Sequence, residues 1–329
     1  MTVALRLFLI GLLALLSLSS CSAKIHKPTD KSWNHSSTAS HSQAAVHLVK
    51  HAMGKTLVPL HPKRVVALHW YATEVAGIFG IKLLGAPVPI LHPELRRDDF
   101  VDLGWFPPNM EKVVALKPDL LLGSAGWFKD TYNLWSQIAP TVLDSMKYNG
   151  QWKEPFMQIV EALGQTESAK QVVAQYNARV AEFKHLMGER LKTLKVSVVQ
   201  IMPGSINLLK KSAFSGTILS DLGIARPPFQ DMDAKTSLQL GENPVNYPIS
   251  EELLPLIDAD ILFVIPFSFN KKNSYQKMIE QLMAQPLWRK LKVVQQGKVY
   301  VMGEYWLAGS YISANKVLDD LFRYLVKEQ

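Results

Sequence analysis

Disulfide chemistry is closed to this chain. Its 329 residues include one cysteine, Cys21, so no intrachain crosslink can staple it. Long apolar runs are scarce too. The stretch Leu7–Ser20 follows Arg6 and is uncharged, but it is too short to span a bilayer comfortably. Neither sign of charge is gathered into blocks. Lys and Arg total 36 against 28 Asp and Glu, a net of +8 scattered along the chain, which argues against a nucleic-acid footprint. A P-loop, a G-x-S-x-G elbow and an H-E-x-x-H pair are all missing, and with them the usual signatures of phosphoryl transfer, esterolysis and zinc proteolysis. What is plentiful is apolar side chain, 48% of the sequence, enough at this length for a large core or two domains.

The position of the cysteine says more than its number. The apolar stretch ends Leu18-Ser19-Ser20-Cys21, the lipobox pattern of an apolar residue, two small ones and cysteine. Residues 1–20 read as a signal peptide, and Cys21 as the lipidated first residue of the mature chain. Residues 21–43 are rich in Ser, His, Lys and Thr, the composition of a polar tether. His26, His35 and His41 read as linker residues, because no carboxylate cluster or further cysteine joins them.

From Ala44 the pattern changes. Val46, Leu48 and Thr56-Leu57-Val58 flank Met53-Gly54, which predicts a small hairpin. Lys63–Leu68 predicts a short buried strand, and Glu74–Phe79 a helix stopped by Gly80. Strands alternating with helices predict an α/β lobe over 44–165 with a largely parallel sheet. Apolar residues from Ala169 to Leu194 recur at three- and four-residue steps, so 166–194 reads as one long amphipathic helix. A second α/β lobe follows over 195–329. Two stretches repeat a pattern about 140 residues apart. Asn109 precedes Glu111 by two, and Asp119 follows it by eight. Ser250 precedes Glu252 by two, and Asp260 follows it by eight. Each glutamate falls in the first turn of a helix with a good capping residue, where the helix dipole alone favours it. The repeated spacing points beyond that, to two related lobes.

With these stretches in view, the chain resembles the iron-siderophore-binding proteins of bacterial ABC importers, a bilobed class that includes the vitamin B12-binding protein. The likeness runs from about His51 to Gln329. It is carried by Val46–Gly54, Pro62–Leu68, Pro108–Asp119, Ile138–Val142, Asp221–Pro227, Asp258–Asp260, Pro286–Trp288 and Leu318–Leu321. The resemblance implies two Rossmann-like lobes with mostly parallel sheets, joined by one long interlobe α-helix. It implies a monomer that takes a ferric siderophore, already chelated and with no further cofactor, into the interlobe cleft and hands it to a permease dimer and its ATPase. It also implies that Glu111 and Glu252, one per lobe, dock on arginines of that permease. The protein would act outside the cytoplasm, held to the membrane through Cys21. A cobalamin or haem receptor of the same fold is the alternative; a zinc or manganese receptor, or an enzyme on this scaffold, is the alternative of a different class.

Ligands of α/β lobes sit at the carboxyl ends of strands. Aromatic residues cluster at such places: His69-Trp70, Trp105, Trp127, Tyr247, Phe267 and Trp306. The ferric-hydroxamate branch of the family matches Trp70, Trp127, Tyr247 and Trp306 by position. That branch carries an arginine in the loop before the first docking glutamate. Here the loop reads Val101–Pro108 and has none. The cleft cation is therefore sought among Arg96, Arg97, Lys210, Lys211 and Lys271, with Lys210 and its neighbour Lys211 preferred because they follow a strand of the second lobe.

Overall fold

Val65-Val66-Ala67 and Leu120–Ser124 are buried along their whole length. With no polar face to give to water, such strands belong at the centre of a covered parallel sheet, and they pair there. The computed structural model describes residues 45–87, 100–104, 106–268 and 275–327. Its strands in chain order are β1 (Val46–His51), β2 (Gly54–Pro59), β3 (Val65–Ala67), β4 (Gly85–Ala86), β5 (Val101–Asp102), β6 (Leu120–Ser124), β7 (Thr141–Asp144), β8 (Val196–Met202), β9 (Ser205–Leu209), β10 (Asn246–Ile249), β11 (Ile261–Pro266) and β12 (Val299–Val301). Three sheets result: the hairpin β1-β2, a first five-stranded sheet in the order β5-β4-β3-β6-β7, and a second in the order β10-β9-β8-β11-β12. The first is parallel throughout. In the second, β8, β11 and β12 are parallel while β9 and β10 each reverse direction. This is the mixed α/β architecture of two lobes that the alternating pattern predicts.

The repeated aspartates do the same work in each lobe. Asp119 accepts from the backbone N–H groups of Lys63 and Arg64 at 2.8 and 2.9 Å, which fixes the entry of β3 beside β6. Asp260 accepts from the N–H of Lys195 at 2.8 Å and fixes β8 beside β11. The registers match, Val65 opposite Leu120 and Val196 opposite Ile261. A carboxylate–amide bond of this kind pins which residue of one strand starts opposite which residue of the next.

The long α-helix runs Thr166–Met187, roughly 33 Å at 1.5 Å per residue. It is shorter than the apolar period suggests. Gly188 has φ +50°, which breaks the α geometry, and a 3-10 turn carries Gly188–Lys192 instead. In the first lobe, the helix expected from Glu74 begins earlier, at Trp70, because the His69 side chain caps it.

The lobes also meet directly. Trp152 is fully buried. Its ring lies edge-on to Tyr176 of the long helix at 5.6 Å and to Phe214 and Tyr311 of the second lobe at 5.5 and 4.7 Å. Its indole N–H donates to Thr217 Oγ1 at 3.0 Å, and its carbonyl accepts from Tyr71 Oη at 2.6 Å. Asp221 takes both Lys153 Nζ and Tyr176 Oη at 2.6 Å. Two residues before Trp152 the backbone has no room for a side chain: a Cβ on Gly150 would fall 1.9 Å from the Ser212 carbonyl oxygen of the second lobe. Gly150→Ala is therefore expected to destabilise by about 1–3 kcal/mol and to prise the lobes apart, read as a lower melting temperature and a larger radius of gyration in small-angle scattering. An unchanged melting temperature would show that the lobes are not in contact there in solution.

Candidate functional site

The carboxyl ends of β3, β6 and β7 converge on a cavity of about 260 Å³ lined by His69, Trp70, Ser124, Trp127, Met146 and Tyr148 among others. Just past the end of β3, His69 and Trp70 supply the imidazole and the first indole. β6 ends in Ser124, and the short helix Ala125–Phe128 that follows delivers Trp127. The imidazole of His69 stands between the two indoles, 5.0 Å from Trp70 and 5.6 Å from Trp127. Phe106 closes the wall edge-on to Trp127 at 4.9 Å. Trp127 is 55% exposed, a large apolar face left to solvent at the mouth of a cavity, which is the arrangement expected of a binding surface rather than of a core.

His69 is buried, which lowers its pKa to about 3, so the ring is neutral under any physiological condition. Its Nδ1 accepts the N–H of Tyr71 at 3.4 Å, which leaves the proton on Nε2 as a neutral donor. Beneath the cavity lies Asp144. Its Oδ1 accepts from Ser124 Oγ and from the Met146 N–H, both at 2.9 Å, while Oδ2 is buried without a hydrogen-bond partner. Burial pushes this carboxyl up to about 7, against the pull of the bonds from Met146 and Ser124.

A second hollow of about 530 Å³ shares Trp127, Met146 and Lys147 with the first and adds Ala52, Lys129 and Asp130. The second lobe comes close at Asn149, whose side-chain amide donates to the Leu307 carbonyl at 2.8 Å. It comes close also at Tyr148, whose hydroxyl pKa is raised by burial and by the charge of Asp233. Lys211 stands on that lobe, paired with Asp231 at 3.1 Å.

Of the residues singled out from sequence, the structure brings His69, Trp70 and Trp127 together. Trp105, Arg96, Arg97 and Lys271 lie outside the described residues, as does Cys21. Tyr247 and Phe267 are half-buried on the second lobe; Tyr247 lies against Lys210, with Nζ 5.6 Å from its ring. Two expectations need correction. Lys210 is not a free cleft cation: it is fully buried, with Nζ 2.6 Å from Glu242 Oε2 and 3.1 Å from Ser237 Oγ. Trp306 is likewise fully buried, its ring tilted against Phe263 at 4.6 Å and its indole N–H donated to Asp320 at 2.8 Å. Phe106, beside Trp105 in the loop before the Glu111 helix, belongs to the aromatics that the sequence places at the cleft; sequence reasoning passed over Met146, Lys147 and Tyr148. These three follow β7, so the rule that found His69 and Trp127 would have found them as well.

Glu111 and Glu252 are both exposed, in the first turns of the helix Met110–Ala115 and of the 3-10 segment Glu251–Ile257. The Ser250 hydroxyl, helped by the local backbone N–H, holds the Glu252 carboxyl below its usual range. The two acids occupy equivalent places, each after the edge strand of its sheet and before the strand that opens with Asp119 or Asp260. Among the described residues no group of three or more His, Cys, Asp or Glu side chains could hold a metal ion.

Residues 107–305 match the family model described as periplasmic binding protein. The chain belongs to that family. It is 30% identical over 328 residues to the "probable siderophore-binding lipoprotein YfiY" of Bacillus subtilis, with 96% of each chain covered. It is 28% identical over 274 residues to the achromobactin-binding periplasmic protein of Dickeya dadantii, covering 80% of this chain and 86% of that one. Among solved structures, Staphylococcus aureus SirA complexed with staphyloferrin B matches with a TM-score of 0.73 at 30% identity, covering 86% of this chain and all of that one. The fold of this binding protein is thus the fold of siderophore-binding proteins.

The buried acid of the binding protein carries a pH signature. Asp144 has an ordinary value near 3.8 when unfolded and about 7 when folded. Between about pH 4 and pH 7 the unfolded chain releases a proton that the folded chain keeps, so stability falls as pH rises through that window and stays level above it. Asp144→Asn keeps both bonds on Oδ1 and removes the charge. It is expected to leave the melting temperature nearly unchanged at pH 4 and to raise it by several degrees at pH 8, a gain of a few kcal/mol. A gain that is equal at both pH values would show that the carboxyl does not titrate in this range.

Proposed function

We propose that this protein is the substrate-binding lipoprotein of an ABC importer, capturing a ferric siderophore between its lobes and presenting it to a permease dimer driven by an ATPase. The observation that carries this reading is the wall of His69, Trp70, Phe106 and Trp127 at the carboxyl edge of the first sheet, open to solvent at Trp127. Flat aromatic faces suit a bulky, partly apolar chelate. The iron arrives as cargo with its coordination already filled by the siderophore, so the protein's part is recognition of the chelate's outer surface. His69 Nε2–H supplies a neutral donor in that wall, while Lys147 and Lys211 put positive charge at the rim for an anionic complex. No bond is made or broken, and the protein works without catalysis or a resident cofactor.

Glu111 and Glu252 are the proposed docking acids. Carboxylates at matching places on two lobes of fixed spacing are what a two-fold permease with an arginine pocket on each subunit would read. Cys21 is the proposed site of lipidation, and the mature protein works as a monomer on the outer face of the membrane. Trp105, Tyr247 and Phe267 remain proposed ligand contacts beside the wall, and Lys211 replaces Lys210 as the cation of the second lobe.

Two measurements test the reading. Ferric complexes of citrate-hydroxamate, trihydroxamate and catecholate siderophores, with cobalamin and haem alongside, are titrated against tryptophan fluorescence. Quenching by one ferric siderophore class is expected, and Trp127→Ala should weaken it about tenfold; quenching by cobalamin or haem alone would move the reading to the alternative receptor. In cells, Glu111→Lys or Glu252→Lys should abolish uptake of the ferric complex while the purified protein binds it as before. Normal uptake with both glutamates replaced would remove their docking role.

A further inference from the structure

The outer face of the hairpin β1-β2 has no part in the cleft, and it is built unlike an ordinary solvent face. The register sets Val46 opposite Pro59, Leu48 opposite Leu57 and Lys50 opposite Lys55. Directly opposed residues of an antiparallel pair share a face, as do alternate residues along each strand. These six side chains therefore form one surface. Val49 and Val58 point the other way and are fully buried against the first lobe.

On the outer surface Val46, Leu48 and Leu57 are 54%, 50% and 59% exposed, and Lys50 and Lys55 are exposed beside them. The solvent face of an antiparallel pair is normally polar. Here half of it is branched apolar side chain, and the other end sets two ammonium groups directly across from each other, which destabilises a strand pair. One partner relieves both costs. An anionic lipid surface takes apolar side chains into its interface and neutralises lysines at its headgroups. The sequence says where such a surface would be. About 24 residues separate Cys21 from Val46, a length of chain that cannot reach beyond about 85 Å even when fully extended.

We propose that the outer face of the β1-β2 hairpin is a membrane-resting surface, which lies on the anionic headgroups of the bilayer that holds the Cys21 anchor and so orients the protein while it waits for ligand and permease. The proposal rests on the lipoprotein reading of Cys21. Its geometry is compatible with docking. The hairpin packs beside β7, with the Ala52 N–H donated to the Leu143 carbonyl at 3.0 Å, whereas Glu111 follows β5 at the opposite edge of the same sheet. A protein lying on its hairpin therefore keeps the Glu111 edge clear of the lipid.

The test uses the full acylated chain in phosphatidylethanolamine vesicles containing 30 mol% phosphatidylglycerol. An environment-sensitive dye is placed at Leu57→Cys, and in a second variant at Val114→Cys, an exposed position on the helix Met110–Ala115; acylated Cys21 does not take the label. The proposal expects a blue-shifted dye at position 57, quenched by spin-labelled headgroups, and an unquenched dye at 114. In a second arm, the unacylated Cys21→Ser chain is sedimented with the same vesicles, and Lys50→Ala with Lys55→Ala should lower its partition coefficient about 25-fold, fivefold per lysine. A dye at 57 that stays unquenched while the protein co-floats with the vesicles overturns the proposal and leaves the anchor intact. Equal quenching at 57 and 114 overturns it as non-specific adsorption. A blue shift at 57 without lipid overturns it in favour of a protein occupant, either the chain's own N-terminal segment or, if the shift vanishes on dilution, a second copy. Loss of co-flotation by the acylated chain would remove the anchor reading and the proposal with it.

Discussion

Trp152 is the contact on which the rest of the molecule turns. It leaves the first lobe just after β7 and is buried among an aromatic residue of the long helix and two of the second lobe. Tyr71 holds its carbonyl, Thr217 holds its indole N–H, and the Asp221 carboxylate gathers Lys153 and Tyr176 beside it. Edge-to-face rings and satisfied buried polar groups leave few alternative packings of equal energy. One helix by itself would let two lobes rock. A helix with an interlocked aromatic seam beside it ties the lobes together at a second place.

A rigid frame shifts the burden of selection onto the surface of the site. The wall of the cavity is neutral: His69 cannot be protonated at physiological pH, and its neighbours are indole and phenyl rings. Charge lies beside the rings: Lys147 lines the same cavity, Lys129 and Asp130 line the adjoining hollow, and Lys211 of the second lobe pairs with Asp231. Rim charges steer a ligand in from a distance and lose strength with salt, while the ring faces reward shape.

Much of this architecture could be read from residues alone. The hairpin, the two lobes and the paired Asp119 and Asp260 were visible because each rests on local pattern: alternation, a turn, a repeated spacing. His69, Trp70 and Trp127 were found because the carboxyl ends of parallel strands face one crevice. The misses were long-range. A lysine after a strand looks the same whether it meets solvent or Glu242, which lies 32 residues away in the chain. Trp306 resembles a cleft aromatic until Asp320 catches its indole N–H from the next helix. The apolar period runs on past Gly188, so periodicity could not mark where a left-handed glycine ends the long helix. In each case the deciding partner comes from tertiary packing, which a single sequence does not display.

The second sheet reaches its glutamate by strand directions that differ from those of the first. In the first lobe β3, β4 and β5 run parallel, and the chain leaves β5 at the carboxyl edge to reach Glu111. In the second lobe β9 turns back on β8 through the hairpin at Pro203-Gly204, and β10 turns back again on β9. Two reversals restore the original direction, so β10 also leaves at the carboxyl edge, and Glu252 follows there. A single reversal would have carried Glu252 to the opposite end of its sheet. The two sheets thus share one strand order and differ in the direction of the strand beside the central one, parallel in the first and antiparallel in the second, while in each the glutamate follows the edge strand.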